Sequence, residues 1–295
     1  MRRVLALDIG GTKLAAAVVG EGGEVARAVR IPTVKGDAEA LFAAVIGAVE
    51  EVRQGDEVAC GVGCGGPMTF GPAGGEKVSP LNIRAWVDFP LRRRLASATG
   101  LPVHLDNDAK ALALGEGWMG AARGVADYVA MVVSTGVGGG IVSGGRLLDG
   151  AGGNAGHIGH VIVEPVVGRI CACGARGCLE AEASGPSIAA VTGRHPAEAG
   201  PEVVVRTGSL VGRAVASVAN LLDLRLAVIA GSVALGFGEP FFTAAQAEVD
   251  RSARLAFSRG TRVVPAALGA DAGLVGAARV GFEGLARSGT GAPVE

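Results

Sequence analysis

The sequence predicts an α/β protein of two related lobes with a loop-rich insert. Three observations in its 295 residues lead to this fold class. A glycine-rich turn in each half joins two stretches rich in β-branched and apolar residues, which is the pattern of a β-hairpin. Strand-like and helix-like segments alternate after each turn, as in α/β folds. An insert at about 150–185 contains three closely spaced cysteines.

The first half begins with two hairpin strands and continues with mixed elements. Residues 37–54 carry apolar side chains at helical spacing, and residues 58–62 form a short apolar run that predicts a buried strand. The predicted order is strand 3–9, turn 10–13, strand 14–19, strand 24–31, helix 37–54 and strand 58–62.

The second half repeats this plan. It predicts strand 128–134, a glycine turn 136–140, strand 141–143, helix 208–222, strand 226–230 and a last helix at 272–285. We therefore expect a small lobe at 1–106 and a larger lobe at 107–274 that contains the insert. A C-terminal helix at about 275–290 could pack back on the small lobe. Ligands commonly bind in a cleft between such lobes.

Composition argues against several classes of function. Positive and negative side chains nearly balance at a net charge of −1, and no basic stripe of the kind that binds nucleic acid is present. No apolar run reaches the length of about 18 residues that a membrane span needs, and the apolar stretch after Arg3 ends at Asp8, too early for a signal peptide. We expect a cytoplasmic protein with neither nucleic acid nor membrane as a partner.

The first motif is the hairpin turn after Asp8. Gly10 and Gly11 allow the backbone to approach a phosphate, and the amides of such a turn bind anions. Thr12 adds a hydroxyl, Lys13 a positive charge, and Asp8 an oxygen ligand of the kind that magnesium prefers. The spacing differs from that of a Walker A loop. A plain hairpin turn is the alternative.

The second motif repeats this chemistry in the second half. Thr135, Gly136 and Gly138 belong to the run 134–140, which contains four glycines. One glycine loop is weak evidence for phosphate binding. Two loops at equivalent places in related halves favour a nucleotide whose phosphates are bound from both sides.

The third motif lies between the halves. Transfer of a phosphoryl group to an alcohol needs a carboxylate that orients the hydroxyl and accepts its proton. Asp108 is the candidate, and Asn107 can hydrogen-bond to sugar hydroxyls. The neighbouring Asp106 points elsewhere if the segment is extended. A turn or a helix cap is the alternative, because Asp and Asn favour both.

The fourth motif is a set of metal ligands. His160, Cys171, Cys173 and Cys178 provide one imidazole and three thiolates, a closed tetrahedral set for zinc. No position is left for water, so the zinc would be structural. Free cysteines in a loop are the alternative.

Together these motifs resemble the ROK family, named for repressors, open reading frames and kinases. The resemblance covers nearly the whole chain, through segments 8–13, 61–67, 107–108, 135–140 and 154–180. It implies a fold of the actin/hexokinase/Hsp70 (ribonuclease H-like) type, with two lobes, an interlobe cleft and an inserted zinc loop. It also implies ATP, Mg²⁺ and a structural Zn²⁺, and a homodimer or homotetramer.

The resemblance also implies roles for individual residues. Asp108 matches the catalytic base of the family. The residues that match its sugar pocket are Gly65, Gly66, Asn82, Asn107, His160 and Glu180. Gly231 and Ser232 match the segment that holds the adenosine end of the nucleotide.

One departure concerns specificity. The family usually reads Glu-x-Gly-His before the cysteines, and that Glu touches the sugar, whereas this chain has His157 at the Glu position. A carboxylate accepts hydrogen bonds from two hydroxyls, while a neutral imidazole offers one donor and one acceptor. The leading expectation is phosphorylation of glucose to glucose 6-phosphate. The alternatives are a kinase for another sugar, an amino sugar or a cyclitol, and a sugar-responsive regulator without a DNA-binding domain.

Overall fold

The computed structural model describes residues 1–71 and 74–289, in which strands and helices alternate. The strands are β1 (Arg3–Ile9), β2 (Lys13–Gly20), β3 (Val25–Pro32), β4 (Glu57–Cys64), β5 (Met68–Gly71), β6 (Gly74–Val78), β7 (Val103–Asn107), β8 (Tyr128–Val133), β9 (Val137–Ser143), β10 (Arg146–Leu147), β11 (Leu226–Ala230) and β12 (Arg262–Pro265). The helices are α1 (Ala38–Val52), α2 (Leu91–Thr99), α3 (Asp108–Met119), α4 (Leu179–Ala183), α5 (Gly185–Thr192), α6 (Pro201–Leu222), α7 (Ser232–Phe237), α8 (Glu239–Ser252) and α9 (Ala272–Gly289). Short 3-10 helices lie at Ile158–His160, Pro196–Glu198 and Gly269–Asp271.

Contacts group the described residues into two compact units. Unit 1 contains residues 1–119, 149–154 and 268–289, and unit 2 contains residues 120–148 and 155–267. This grouping differs from the predicted limits of 1–106 and 107–274, because α3 and the segment 149–154 belong to unit 1. Glycines explain why α3 stays there: a Cβ atom on Gly115 would lie 3.0 Å from the Cα atom of Gly276 in α9, so the two helix backbones are in close contact.

Unit 1 is built on a mixed five-stranded sheet. The strand order is β3-β2-β1-β4-β7, with antiparallel pairing from β1 to β3 and parallel pairing from β1 through β4 to β7. The apolar face of α1, with Leu41, Val45 and Val49, belongs to the core that the sheet forms on one side. On β4, a Cβ atom at Gly61 would lie 2.0 Å from the carbonyl oxygen of Ala277, so α9 lies directly against the sheet backbone.

Unit 2 contains a second sheet with the same plan. Its order is β10-β9-β8-β11-β12, with antiparallel β8, β9 and β10 and parallel β8, β11 and β12. The two sheets therefore share one strand order, which agrees with the predicted duplication. The hairpin differs in one respect from the prediction: the turn closes between Ser134 and Gly136, and Gly138 to Gly140 lie inside β9. A Cβ atom on Gly139 would lie 3.0 Å from both the Ala130 carbonyl oxygen and Ile158 Cγ2, so packing explains this strand glycine.

The long helix α6 begins earlier than the predicted residue 208. It starts at Pro201, preceded by Gly200 at the N-cap position and followed by Glu202 in the first turn. Proline is favoured at the first helical position, and a carboxylate is favoured near a helix N-terminus. Among the described helices, none has both the length and the apolar composition needed to cross a membrane.

Candidate functional site

The β1–β2 hairpin carries the first predicted phosphate-binding turn. The Gly10 amide donates to the Lys13 carbonyl at 3.0 Å and closes the turn. Thr33, just beyond β3, fixes it further, because its hydroxyl donates to the Gly10 carbonyl at 2.7 Å and its amide donates to the Thr12 carbonyl at 3.1 Å. The turn is therefore fixed from a neighbouring strand.

Gly11 brings this turn against a second predicted segment. A Cβ atom at Gly11 would lie 2.4 Å from Asn82 Cβ and 2.8 Å from the Asn82 carbonyl oxygen. Only glycine fits at such a distance. Unit 1 thus brings together the predicted nucleotide turn and the predicted sugar-binding Asn82.

Asp8 lies in β1 beside this turn. The pKa of Asp8 is raised from its ordinary value of 3.8 to about 6, chiefly by burial and then by the charge of Asp108, while Lys13 and Arg30 oppose the increase. A Cβ atom at Gly273 would lie 2.2 Å from Asp8 Oδ2, so the start of α9 covers this carboxylate. A divalent cation bound here would favour the ionised form, since carboxylate oxygens are ligands that Mg²⁺ accepts.

Asn107 and Asp108 lie where β7 ends and α3 begins. The Ala109 amide donates to Asn107 Oδ1 at 3.0 Å and to Asp108 Oδ1 at 2.8 Å. The helix N-terminus therefore fixes both side chains, and its dipole favours the negative charge of Asp108. Asp108 is exposed to solvent.

The predicted glycines of the sugar pocket lie beside this pair. A Cβ atom at Gly65 would lie 3.9 Å from Asp108 Oδ2, and one at Gly66 would lie 3.3 Å from Asn107 Nδ2. Both glycines follow β4, which pairs with β7 in parallel, so the carboxyl ends of the two strands meet at one edge of the sheet. The absence of side chains at Gly65 and Gly66 thus leaves space for a ligand next to the Asp108 carboxylate.

Asp106 lies in β7, and its carboxylate pairs with Lys110. It is buried, and its Oδ1 lies 3.2 Å from Lys110 Nζ. Burial raises the pKa of Asp106, while Lys110 opposes the increase. Sequence reasoning missed Lys110, although a lysine within the apolar run 109–114 was an available signal.

In unit 2, the second predicted nucleotide segments lie next to each other. Ser134 Oγ and Ser232 Oγ are 2.8 Å apart. Gly231 has a φ of 102°, and a Cβ atom there would lie 2.3 Å from the Val133 carbonyl oxygen, which only glycine allows. Unit 2 therefore brings the turn that contains Thr135 against the start of α7.

Glu180 contacts the same turn. Its Oε2 accepts a hydrogen bond from the Val137 amide at 2.8 Å, and a Cβ atom at Gly136 would lie 3.0 Å from that oxygen. The predicted sugar-binding carboxylate is therefore held at the predicted phosphate-binding turn. Gly138, by contrast, lies inside β9 beyond the turn.

The four predicted metal ligands also come together in unit 2. Nitrogen or sulfur atoms of His160, Cys171, Cys173 and Cys178 all lie within 4.8 Å of one another. Cys173 Sγ and Cys178 Sγ are 3.6 Å apart, and Cys171 Sγ lies 3.8 Å from His160 Nδ1. Tetrahedral zinc with bonds of about 2.0–2.3 Å places its ligand atoms roughly 3.5–3.8 Å apart, so this donor set fits Zn²⁺.

His157 lies next to this cluster. Its ring centroid is 6.1 Å from that of His160, and the side chain is exposed. The residue at the predicted specificity position is thus a neighbour of a predicted zinc ligand.

Comparison with known proteins decides the family. The model of the ROK family matches residues 4–281. The chain belongs to the ROK family. N-acetylmannosamine kinases of Escherichia fergusonii and Shigella flexneri are each 35% identical to it, over 249 and 250 residues; these alignments cover 79% and 80% of the chain and 84% of each relative.

Solved ROK structures match over almost their full length. The ROK hexokinase of Thermus thermophilus is 36% identical, with a TM-score of 0.84 over 97% of this chain and 99% of that one. The ROK family glucokinase of Streptomyces griseus, solved with glucose and AMPPNP, is 31% identical, with a TM-score of 0.80 over 95% and 99%. The predicted ROK kinase fold of the actin/hexokinase-like type is confirmed.

Proposed function

We propose that this ROK protein transfers the γ-phosphate of ATP to a sugar hydroxyl, with Asp108 as the general base. The observation that carries the proposal is the position of the Asp108 carboxylate, which the N-terminus of α3 holds beside Gly65 and close enough to Asp8 to raise its pKa. The sugar hydroxyl gives its proton to Asp108 while its oxygen forms a bond to the γ-phosphorus. The bond from that phosphorus to the bridging oxygen breaks, and ADP leaves with the electron pair.

The remaining residues bind the nucleotide and its metal. The turn Gly10–Lys13 and the residues Thr135, Gly136, Gly231 and Ser232 are the proposed ATP contacts. Asp8 would hold Mg²⁺ through water, and the ion would neutralise phosphate charge. His160 and the three cysteines would hold a structural Zn²⁺, which would fix the loop after His157.

We further propose that the acceptor is the 6-hydroxyl of an N-acetylated hexosamine, N-acetylmannosamine being the first candidate. Curated relatives of that name support this acceptor. The chemistry of His157 supports it as well. An acetamido carbonyl needs a hydrogen-bond donor, which an ionised Glu lacks and an imidazole N–H provides.

Glucose is the second candidate. It was the leading expectation from the sequence, and the similarity to a hexokinase and a glucokinase favours it. If glucose is the acceptor, His157 contacts it with one donor and one acceptor in place of the two acceptors of the usual Glu.

A coupled assay of ADP release with Mg²⁺-ATP tests the function and the acceptor together. The sugar panel would contain N-acetylmannosamine, N-acetylglucosamine, glucosamine, glucose, mannose, fructose, allose and a cyclitol. We expect the highest kcat/KM with N-acetylmannosamine, and we expect His157→Glu to lower that value and to raise the value for glucose. Equal loss for both sugars would contradict the specificity role of His157.

Asp108→Asn tests the base. We expect kcat to fall by about 10²–10⁴ with every sugar, while sugar binding measured by calorimetry persists. Near-normal turnover in this variant would overturn the assignment. Wild-type protein that turns over no sugar would point to a regulator that keeps the kinase fold.

A further inference from the structure

Lys110 is a buried cation that no step of the proposed reaction uses. It is the third residue of α3, only 1% of its surface is exposed, and it lies two residues after Asp108. An isolated ammonium group would be costly to bury, so its partners must compensate for the lost water.

Its partners match its chemistry. Lys110 Nζ lies 3.2 Å from Asp106 Oδ1, 2.8 Å from Asp149 Oδ1 and 3.2 Å from the Gly153 carbonyl oxygen. A lysine ammonium has three donors, so three acceptors satisfy it completely. One acceptor comes from β7 and two come from the segment 149–154.

The segment 149–154 is held on a second side by Phe70. A Cβ atom at Gly153 would lie 2.4 Å from the Phe70 ring, so the backbone packs closely against this ring. Lys110 Nζ lies 5.3 Å from the same ring centroid, close enough for a cation–π interaction. Asp149 and Gly153 of this segment thus both contact Lys110. Gly150, Gly152 and Gly153 carry no side chains.

The position of this segment in the chain gives the contacts a consequence. Residues 149–154 pack within unit 1, although the residues before and after them belong to unit 2. His157 follows Gly153 by four residues, and the short 3-10 helix Ile158–His160 follows His157 directly. Whatever fixes Gly153 therefore restricts where His157 can lie.

We propose that Lys110 is a positioning residue of the kinase reaction, which acts through Asp149 and Gly153 to fix the chain that leads to the sugar-contacting His157. It touches neither substrate. The inference rests on the proposed function, because it assigns sugar contact to the residues after the segment. Loss of the contacts of Lys110 with Asp149 and Gly153 therefore weakens sugar binding more than ATP binding, since the nucleotide turns belong to other elements.

Asp149→Ala removes the ion pair with Lys110 and has a matched control. Asp149 and Asp56 both have side chains that are 56% exposed, and both pair with one cation in unit 1. We expect Asp149→Ala to raise the KM for the sugar by roughly tenfold to 100-fold and to leave the KM for ATP unchanged. Asp56→Ala, which removes one partner of Arg3, should change neither constant.

Lys110→Met is the second variant. It removes the charge but keeps much of the side-chain volume, so it should reproduce the rise in the KM for the sugar. Because it leaves the carboxylates of Asp106 and Asp149 without their shared cation, it should also lower the melting temperature. Equal changes in the two KM values, or a sugar KM like that of the wild type in Asp149→Ala, would overturn the proposal. A melting temperature of Asp149→Ala near that of Asp56→Ala excludes a general loss of folding.

Hydrogen exchange separates this inference from the proposed function. The Gly153 amide, which donates to the Gly150 carbonyl oxygen at 3.4 Å, should exchange faster in Asp149→Ala and Lys110→Met than in the wild type, with or without a sugar. Unchanged amide exchange in both variants would overturn the positioning role of Lys110. Wild-type protein without activity on any sugar would instead overturn the kinase function.

Discussion

Asp8 shows at the scale of one residue how a site can oppose stability. The folded chain raises the pKa of this carboxyl to about 6, first through burial and then through the charge of Asp108. Folding therefore favours the protonated form, whereas binding of Mg²⁺ needs the ionised form. A buried carboxylate with a pKa raised in this way is typical of functional sites.

The sign of the effect on stability follows from these two pKa values. Between about pH 4 and pH 6 the folded protein holds a proton on Asp8 that the unfolded chain has lost, so the free energy of unfolding falls as the pH rises through this window. Asp8→Asn removes the penalty. We expect this substitution to raise the free energy of unfolding of the ligand-free protein by roughly 1–3 kcal/mol at pH 8, and its melting temperature with it. Little gain is expected at pH 4.5. Thermal unfolding at both pH values measures this, and the same gain at both would contradict it.

Sequence spacing carried the most information where the residues lie close together along the chain. The spacing of Cys171, Cys173 and Cys178 and their distance from His160 sufficed to predict a cluster that the structure brings together. Lys110 was missed because its partners Asp149 and Gly153 lie about 40 residues away along the chain, and only the folded backbone brings them near. Roles in catalysis and sugar binding stay predictions.

At the scale of elements, the loop 161–178, which carries the three cysteines, contains neither a helix nor a strand. Two isolated bridges, between Ile162 and Cys178 and between Ile170 and Arg176, join its parts. Gly174 and Gly177 have φ values of 90° and 75° and form the turns between the thiolates. A bound metal would add a cross-link to the backbone hydrogen bonds of this loop.

Removal of one ligand tests the metal. We expect about one zinc ion per chain in wild-type protein purified without chelator, and much less in Cys178→Ser. Protease cleavage between residues 158 and 179 should increase in that variant, because the loop loses its cross-link. Elemental analysis and limited proteolysis provide the measurements.

Cys60→Ser is the matched control for this experiment. Cys60 and Cys178 are both fully buried, but Cys60 lies in β4 and outside the cluster. The control should keep its zinc. Loss of zinc in both variants, or in neither, would contradict the assigned ligand set.

Element boundaries show where sequence patterns carried less information. The prediction put Gly138 in a turn because glycine is most often read as a turn residue, yet it extends β9. Tight packing of the neighbouring Gly139 against Ala130 and Ile158 decides this, and neither contact is local. By contrast, β11 was predicted with its observed limits, since the apolar run 226–230 ends at Gly231.

At the scale of the whole molecule, unit 1 is assembled from three separate parts of the chain. Its sheet comes from the first part, and α9 comes from the last. The predicted domain limits assumed that neighbours in sequence stay together, with α9 as the stated exception. Pairs such as Gly115 and Gly276, which hold α3 to α9, leave no periodic pattern from which the grouping could be predicted.

The close contact of α9 with β4 gives a prediction for folding. Gly61→Ala places a methyl group where the Ala277 carbonyl oxygen lies 2.0 Å away, so α9 must shift. We expect a loss of about 1–3 kcal/mol or more in the free energy of unfolding. The zinc content of the soluble protein should remain normal, because all four ligands belong to unit 2. Denaturant unfolding and elemental analysis test both parts.

Gly47→Ala is the control for this substitution. A Cβ atom at Gly47 would meet no other atom within 4 Å, and the position is inside α1. Alanine should therefore stabilise the protein by roughly 0.5–1 kcal/mol. A similar loss of stability in both variants would contradict the role assigned to the contact at Gly61.

The late position of α9 also has a consequence for synthesis on the ribosome. Ala6, Ala15, Ala17 and Val19 pack against α9 residues such as Leu274, so this face of the nascent sheet is uncovered until α9 emerges. About 150 residues of unit 2 and its connections separate α3 from α9, which corresponds to roughly 8–30 s of translation at about 5–20 residues per second. During that interval the newly made strands present an apolar surface that a chaperone can hold, and unit 2 is complete before unit 1 can close.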